Sequence, residues 1–180
     1  MVDFEINPVI AAIRTKESFD ASLSSEIKYL FLLNSDILTV SAYIEAAHKV
    51  GKKIFIHVDF TDGLGKDKSG MEFVFKAGAD GVISTRTNIV KAAKECGLLT
   101  VQRFFIIDSH SVDTAVESIK VSRPDMIEIM PGVIPKTIAE FTKKVKVPVI
   151  AGGLIEAKME IYSALSSGAV AVSTSKTELW

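Results

Sequence analysis

The chain has a single cysteine, Cys96, in 180 residues, which excludes an intramolecular disulfide. Cys96 falls late in a helical segment, just before Gly97, and reads as a small buried structural residue rather than a nucleophile. An excess of charge is also missing: 21 Lys and Arg face 22 Asp and Glu, for a formal net charge of −1. That balance lacks the broad basic footprint of a nucleic-acid-binding protein, so any such contact must rest on local patches. No apolar run reaches the roughly 18 residues that a membrane-spanning helix needs, and no membrane partner is expected. The basic and apolar regions of a secretory signal are absent from Met1-Val2-Asp3-Phe4-Glu5, so a cytoplasmic location is the expectation. With no linker, low-complexity stretch or basic tail, residues 1–180 are expected to form one domain around one core.

Several catalytic devices are missing too. Gly63-Leu64-Gly65-Lys66 lacks the spacing of a phosphate-binding Walker loop, and no Ser-His-acid arrangement is visible. No lysine sits inside a strand to form a Schiff base, since Lys53 lies at a strand entrance and Lys176 beyond the last strand.

What is present is a rhythm. Short β-rich apolar runs recur at residues 9–14, 29–33, 54–58, 81–84, 99–104, 126–130, 147–151 and 170–173, eight in all. Segments with helical spacing lie between them, such as Val40, Ile44, Ala47 and His48, or Val112, Ala115, Val116 and Ile119. Strand and helix in alternation imply a parallel sheet with right-handed crossovers. Eight units predict a compact (β/α)8 TIM-like barrel, with a doubly wound sheet as the structural competitor. Because 180 residues is short for such a barrel and only a handful follow the eighth run, the eighth helix is expected to be truncated or missing.

Alternation along each strand selects the inward residues. In the third run Ile54, Ile56 and Val58 face the helices, leaving Phe55, His57 and Asp59 inward. In the sixth, Ile127 and Ile129 face out and Met126, Glu128 and Met130 face in. Arg14 ends the first run, Arg86 follows Ser84-Thr85, and Arg103 nears the end of the fifth. Spacing alone thus predicts that His57, Asp59, Glu128, Arg14, Arg86 and Arg103 converge at one rim. Three arginines against fewer carboxylates suit a small anion that carries hydroxyls, because guanidinium grips phosphate in bidentate fashion and carboxylates accept from hydroxyls. His57, Asp59 and Glu128 also form an N/O set of the kind that binds a divalent metal. A His two residues from an Asp is more often a hydrogen-bonded pair, and no metal is assigned.

The seventh run ends in Ala151-Gly152-Gly153-Leu154-Ile155 and the eighth in Ser173-Thr174-Ser175. In barrels of this type the loops after strands seven and eight often hold phosphate through backbone N–H groups, which glycine lets approach closely. Gly152, Gly153, Ser173 and Thr174 are the expected phosphate contacts. The segment Asp59–Ser69, after the third run, is the one long connection on the same rim.

These residues carry a resemblance. Ile83-Ser84-Thr85-Arg86, Val101-Gln102-Arg103-Phe104-Phe105, Ile107-Asp108-Ser109, the stretch from Pro124 to Val133, Ala151-Gly152-Gly153 and Ser173-Thr174-Ser175 together resemble the glycerol-3-phosphate-responsive antiterminators of bacterial glycerol operons. His57-Val58-Asp59 and Gly63-Leu64 belong to the same likeness, which covers nearly the whole chain. The resemblance implies a regulator without catalysis and without a cofactor, with glycerol 3-phosphate as effector and an mRNA leader as partner. The ligand contacts expected are Arg14, His57, Asp59, Ser84, Arg86, Arg103, Glu128, Gly152, Gly153, Ser173 and Thr174.

Two rivals use the same loops: an isomerase, epimerase or lyase acting on a phosphorylated sugar or triose through His57, Asp59 and Glu128, and a barrel that serves protein contacts only. For RNA, the local basic patches are Lys143, Lys144 and Lys146, then Lys49, Lys52 and Lys53, then Lys66 and Lys68. The first two groups precede strands and belong to the face opposite the ligand. The missing helix leaves Val170 and Val172 to be covered either by Met1–Pro8 or by a second subunit, and a symmetric homodimer with Leu179 and Trp180 near its edge is the expectation.

Overall fold

The computed structural model describes Val2 and residues 4–180. In chain order the strands are β1 (Val9–Ile13), β2 (Tyr29–Leu32), β3 (Ser35–Asp36), β4 (Lys53–His57), β5 (Thr61–Asp62), β6 (Gly81–Ser84), β7 (Leu99–Phe105), β8 (Met126–Met130), β9 (Val149–Gly152) and β10 (Ala171–Thr174). Eight of them close a parallel barrel in the order β1-β2-β4-β6-β7-β8-β9-β10, and β10 returns to β1 with Ser173 opposite Ile10. The short β3 and β5 pair with each other on the rim, a ladder too brief to leave an alternating pattern in the sequence. The helices are α1 (Lys16–Ser24), α2 (Val40–Lys49), α3 (Lys68–Lys76), α4 (Thr87–Glu95), α5 (Ser109–Ser122), α6 (Pro135–Lys144) and α7 (Lys158–Ser166).

The pleat sorts the strand residues into two cores. Ile10, Ala12, Tyr29, Phe31, Phe55, Ile83, Val101, Met126, Ile150 and Ala171 fill the barrel. Ala11, Leu30, Ile54, Ile56, Val82, Ile127, Ile129 and Val172 face outward and meet helix residues such as Ile44, Met71, Val74, Ile89, Ala93, Ile138 and Phe141. Because both faces of every barrel strand are buried, the strands read as continuous apolar runs. Side chains on the rim start three of the helices: Thr15, Asp67 and Asp108 accept from the N–H groups of Ser18, Gly70 and Ser111.

The eighth helix is replaced by a 3₁₀ turn over Thr177–Leu179. Trp180 Nε1 donates to the Thr174 carbonyl at 3.0 Å, and Leu179 and Trp180 pack on the outer core, so that Val172 is fully buried. The chain's own last residues therefore cover Val172, while Val170, the other valine that was expected to need cover, stays exposed. The N-terminal segment serves elsewhere: Phe4 packs on the barrel floor, its ring 5.0 Å from that of Tyr29. Met1 and Asp3 lie outside the described residues. Trp180→Ala should lower stability by about 2 kcal/mol, from lost packing and one lost hydrogen bond. Urea denaturation measures it, and a midpoint equal to that of the parent would show that the turn covers nothing of consequence.

Candidate functional site

At the C-terminal mouth of the barrel, Arg103 on β7 stands opposite Glu128 on β8, as the register of the two strands requires. Arg103 Nε donates to Glu128 Oε2 at 2.6 Å, and Ser173 Oγ, on β10, donates to Glu128 Oε1 at 2.5 Å. Glu128 is fully buried, and these two donors offset the cost of holding a carboxylate there. To reach Ser173 the Glu128 side chain passes over β9, and Gly152 is what leaves room. A Cβ at position 152 would lie 2.3 Å from Glu128 Oε1 and 2.6 Å from Ser173 Oγ. Gly152 thus has a structural reason to be glycine that is separate from any phosphate.

Above this network lies a cavity of about 190 Å³, lined by Arg14 and Arg103, by Gly153, Leu154, Ile155 and Glu156 after β9, and by Ser173, Thr174, Ser175 and Lys176 at the end of β10. The two loops singled out in the sequence do meet. Three cations, Arg14, Arg103 and Lys176, line the space with two carboxylates, Glu128 and Glu156. Glu128 is held by Arg103 and Ser173, while Glu156 is 3.2 Å from Lys176. Arg14 is exposed and makes no ion pair among the described residues. The hydroxyl of Thr174 donates to the Ile155 carbonyl and accepts from Lys176 N–H, so it ties the two loops together. Among the described residues no protein acceptor takes the backbone N–H of Leu154 or Ser175. Gly153 and Leu154 both have positive φ, at 77° and 62°, which turns the chain sharply beside the cavity.

The remaining candidates are not in that space. β4 ends at His57, and Val58–Phe60 form a 3₁₀ turn. Asp59 therefore does not continue the strand alternation into the barrel. Its Oδ1 accepts from Ser84 Oγ at 2.8 Å, and its Oδ2 accepts from Thr85 N–H at 2.7 Å and Thr85 Oγ1 at 2.9 Å. Arg86 Nε lies 3.8 Å from the same carboxylate. Burial pushes the Asp59 carboxyl up, but the hydrogen bonds from Thr85 and Ser84 outweigh it and hold it below the usual range. Asp59, Ser84 and Arg86 thus clasp the β4 turn to the loop after β6. Lys66 completes the clasp by donating to the carbonyls of Val58 and Thr61.

His57 does face inward, enclosed at 1% exposure, with its ring centroid 4.8 Å from that of Phe60. Both ring nitrogens lack a hydrogen-bond partner. Leaving a buried polar group unpaired costs about 1–3 kcal/mol, so this ring is an unspent donor and acceptor. Burial first, and the Arg103 guanidinium second, push its pKa down to about 4, with Asp59 opposing. The anticipated trio of His57, Asp59 and Glu128 is not assembled: Asp59 points to the β6 loop and Glu128 to Arg103 and Ser173. Among the described residues no group of three His, Cys, Asp or Glu side chains is placed to hold a metal ion.

Of the basic clusters, Lys52 is buried and donates to the carbonyls of Ser25 and Ile27, Lys53 pairs with Asp80, and Lys144 with Asp113. Lys52 and Lys53 thus hold neighbouring turns, and Lys144 joins the end of α6 to α5 in an exposed pair. What the sequence reading missed is apolar: Leu38, Phe60 and Leu154 stand exposed after β2, β4 and β9, and Phe105 and Ile107 at the end of β7 and just after it. The signal was an apolar side chain within each βα loop, where polar residues are the rule.

Residues 9–180 match the model of the glycerol-3-phosphate responsive antiterminators. The fold superimposes on the glycerol uptake operon antiterminator regulatory protein of Listeria monocytogenes with a TM-score of 0.95 and 35% identity, over 99% of this chain and 97% of that one. A glycerol uptake operon antiterminator-related protein of Thermotoga maritima gives a TM-score of 0.86 and 35% identity over 96% of each chain. The uncharacterized protein YgcP of Escherichia coli strain K12 is 37% identical over 175 residues, 97% of this chain and 92% of that protein. The chain belongs to the glycerol-3-phosphate responsive antiterminator family.

Proposed function

We propose that the protein is a cytoplasmic, non-catalytic sensor of glycerol 3-phosphate that acts on an mRNA leader to prevent termination. The observation that carries this is the small mouth cavity, where Arg14, Arg103 and Lys176 outnumber two already engaged carboxylates and the loops after β9 and β10 meet. A phosphate takes the place between those loops and the Arg103 guanidinium, held by backbone N–H groups and a fixed fork. Family membership supports the effector and the regulatory role. Against the enzyme reading, acid–base work needs a carboxylate or imidazole free to exchange a proton in the cavity. Asp59 is spent on Thr85 and Ser84, Glu128 on Arg103 and Ser173, and the His57 imidazole, though without a partner, does not line the cavity.

Glycerol 3-phosphate at 100-fold over its Kd should raise stability by about 2.7 kcal/mol. Arg14→Ala, which removes an exposed cation with no ion pair, should weaken binding without lowering the stability of the free protein. Arg103→Lys keeps the charge but loses the fork geometry, and should weaken binding further. A thermal scan that rises with another phosphorylated metabolite but not with glycerol 3-phosphate would reject the effector. A gel-shift titration of leader RNA, with and without glycerol 3-phosphate at two salt concentrations, tests the coupling. RNA affinity must change with ligand, and reciprocally RNA must tighten ligand. Turnover of a triose phosphate without RNA binding would instead establish the enzyme.

A further inference from the structure

We infer that an unpaired segment of the mRNA leader stacks on Phe60 and Phe105, with Arg86 between them, at the same mouth of the barrel that holds the ligand cavity. The inference rests on the reading of the protein as an antiterminator that acts on such a leader. β4, β6 and β7 are successive strands of the closed barrel, and the chain leaving each one carries one of the three side chains. Phe60, in the turn after β4, packs its ring 4.8 Å from that of the inward-facing His57. Arg86 lies two residues beyond the end of β6. Phe105 ends β7, two residues past Arg103 and so on the same side of the pleat, while Phe104 between them packs on the outer core. Both rings are 60% exposed and the Arg86 side chain 54%. Phe105 stands opposite Met130, which lines the ligand cavity, so the row borders that cavity.

The order ring, guanidinium, ring decides which partner fits. Neighbouring strands lie about 4.8 Å apart, so the two strands that carry the rings are separated by about 10 Å. A single-stranded RNA uses every element of the row: each ring takes the flat face of one unpaired base, and the phosphate between two splayed bases meets the guanidinium. α4 starts at Thr87 with no side chain capping it, which puts the positive end of a helix beside Arg86. A protein surface packed over both rings would instead have to bury Arg86. Its carboxylate neighbour, Asp59, is 3.8 Å away and already accepts from Ser84 and twice from Thr85, so it gives that charge little cover. A duplex fits no better, since pairing keeps the base faces inside the stack. The platform is also formed before RNA arrives. Lys66 holds the carbonyls of Val58 and Thr61, and Asp59 ties the Phe60 turn to the loop of Arg86, which limits the ordering cost of binding.

The test is a gel-shift titration of leader RNA with the full chain, with and without glycerol 3-phosphate. Phe60→Leu and Phe105→Leu keep apolar bulk without the ring, and Phe60→Tyr and Phe105→Tyr keep the ring. Each Leu variant should bind the RNA about tenfold more weakly, and each Tyr variant within about threefold of the parent, while glycerol 3-phosphate still raises the melting temperature of all four. Arg86→Gln should lower the slope of log affinity against log salt by about 0.7. Leu variants that bind RNA as the parent does would overturn the inference and leave the sensor reading standing, and so would Tyr variants that lose as much as the Leu variants. Loss of the ligand-induced melting shift together with RNA binding would assign the rings to the ligand site and overturn it as well. A parent that sediments as a dimer, which the Leu variants dissociate at unchanged RNA affinity, would give the rings to a second copy of the chain. A parent that binds no leader RNA under either condition would overturn the antitermination reading itself, and this inference with it.

Discussion

Glu128→Ala is expected to be the most damaging single substitution, costing about 3–5 kcal/mol, because it strands the Arg103 guanidinium inside the barrel with no counter-charge. The two residues are 6% and 0% exposed at the side chain, so the guanidinium would be left largely desolvated. Ser173 Oγ loses its acceptor in the same step. Gly152→Val should reach a comparable loss by a different route. Its side chain would occupy the path of Glu128, starting from a Cβ position 2.3 Å from Oε1, and the carboxylate can retreat only by giving up its bonds from Arg103 and Ser173. Urea denaturation of both variants is the measurement, read as a fall in midpoint at unchanged slope. Replacing Arg103 and Glu128 together by Met and Leu should recover most of the stability while abolishing glycerol 3-phosphate binding, since a buried pair exchanged for apolar side chains of similar volume is often neutral or better. A loss below about 1 kcal/mol for Glu128→Ala would mean that the pair is already solvated and that the cavity floor is not the closed network described.

Much of this was legible in the residue pattern, and the failures have local causes. The eight barrel strands could be read because each is covered on both sides, and the pleat then placed Phe55, His57, Glu128 and Met126 inward correctly. Asp59 went wrong because the alternation was carried past the end of β4: the chain turns into a 3₁₀ segment at Val58, and the next side chain no longer follows the pleat. Ser84 could have been placed from Ile83, which fills the barrel, since its neighbour on the strand must face the other way. Of the Gly152-Gly153 loop, Gly153 lines the mouth cavity, whereas Gly152 is demanded by the passage of Glu128 to Ser173, a contact between residues 45 apart in sequence that no local pattern encodes. Five residues are too few for a stable α-helix, as expected. Val172 is nonetheless covered by a single 3₁₀ turn and an indole, and Val170 is left exposed.

The protein should lose stability on mild acidification, beginning well above the range in which carboxylates protonate. His57 has an ordinary value of 6.5 when unfolded and about 4 when folded, pushed down by burial and then by Arg103. Below pH 6.5 the unfolded chain therefore binds a proton that the folded chain refuses, so stability is fully present above about 6.5 and falls as pH drops toward 4. The full difference amounts to about 3 kcal/mol. The lowered carboxylates Asp59, Asp80 and Asp125 act in the same direction but only below their ordinary value of 3.8, outside this window. His57→Gln, which cannot be protonated, should flatten the dependence between pH 6.5 and 4 whatever its effect at neutral pH. Glycerol 3-phosphate should flatten it in the parent as well, because an anion beside Arg103 makes the imidazolium easier to hold in the folded state. Denaturation midpoints at half-unit steps of pH, with and without ligand, give both results. A parent curve as flat as that of His57→Gln would show that the His57 ring reaches water or a partner in solution.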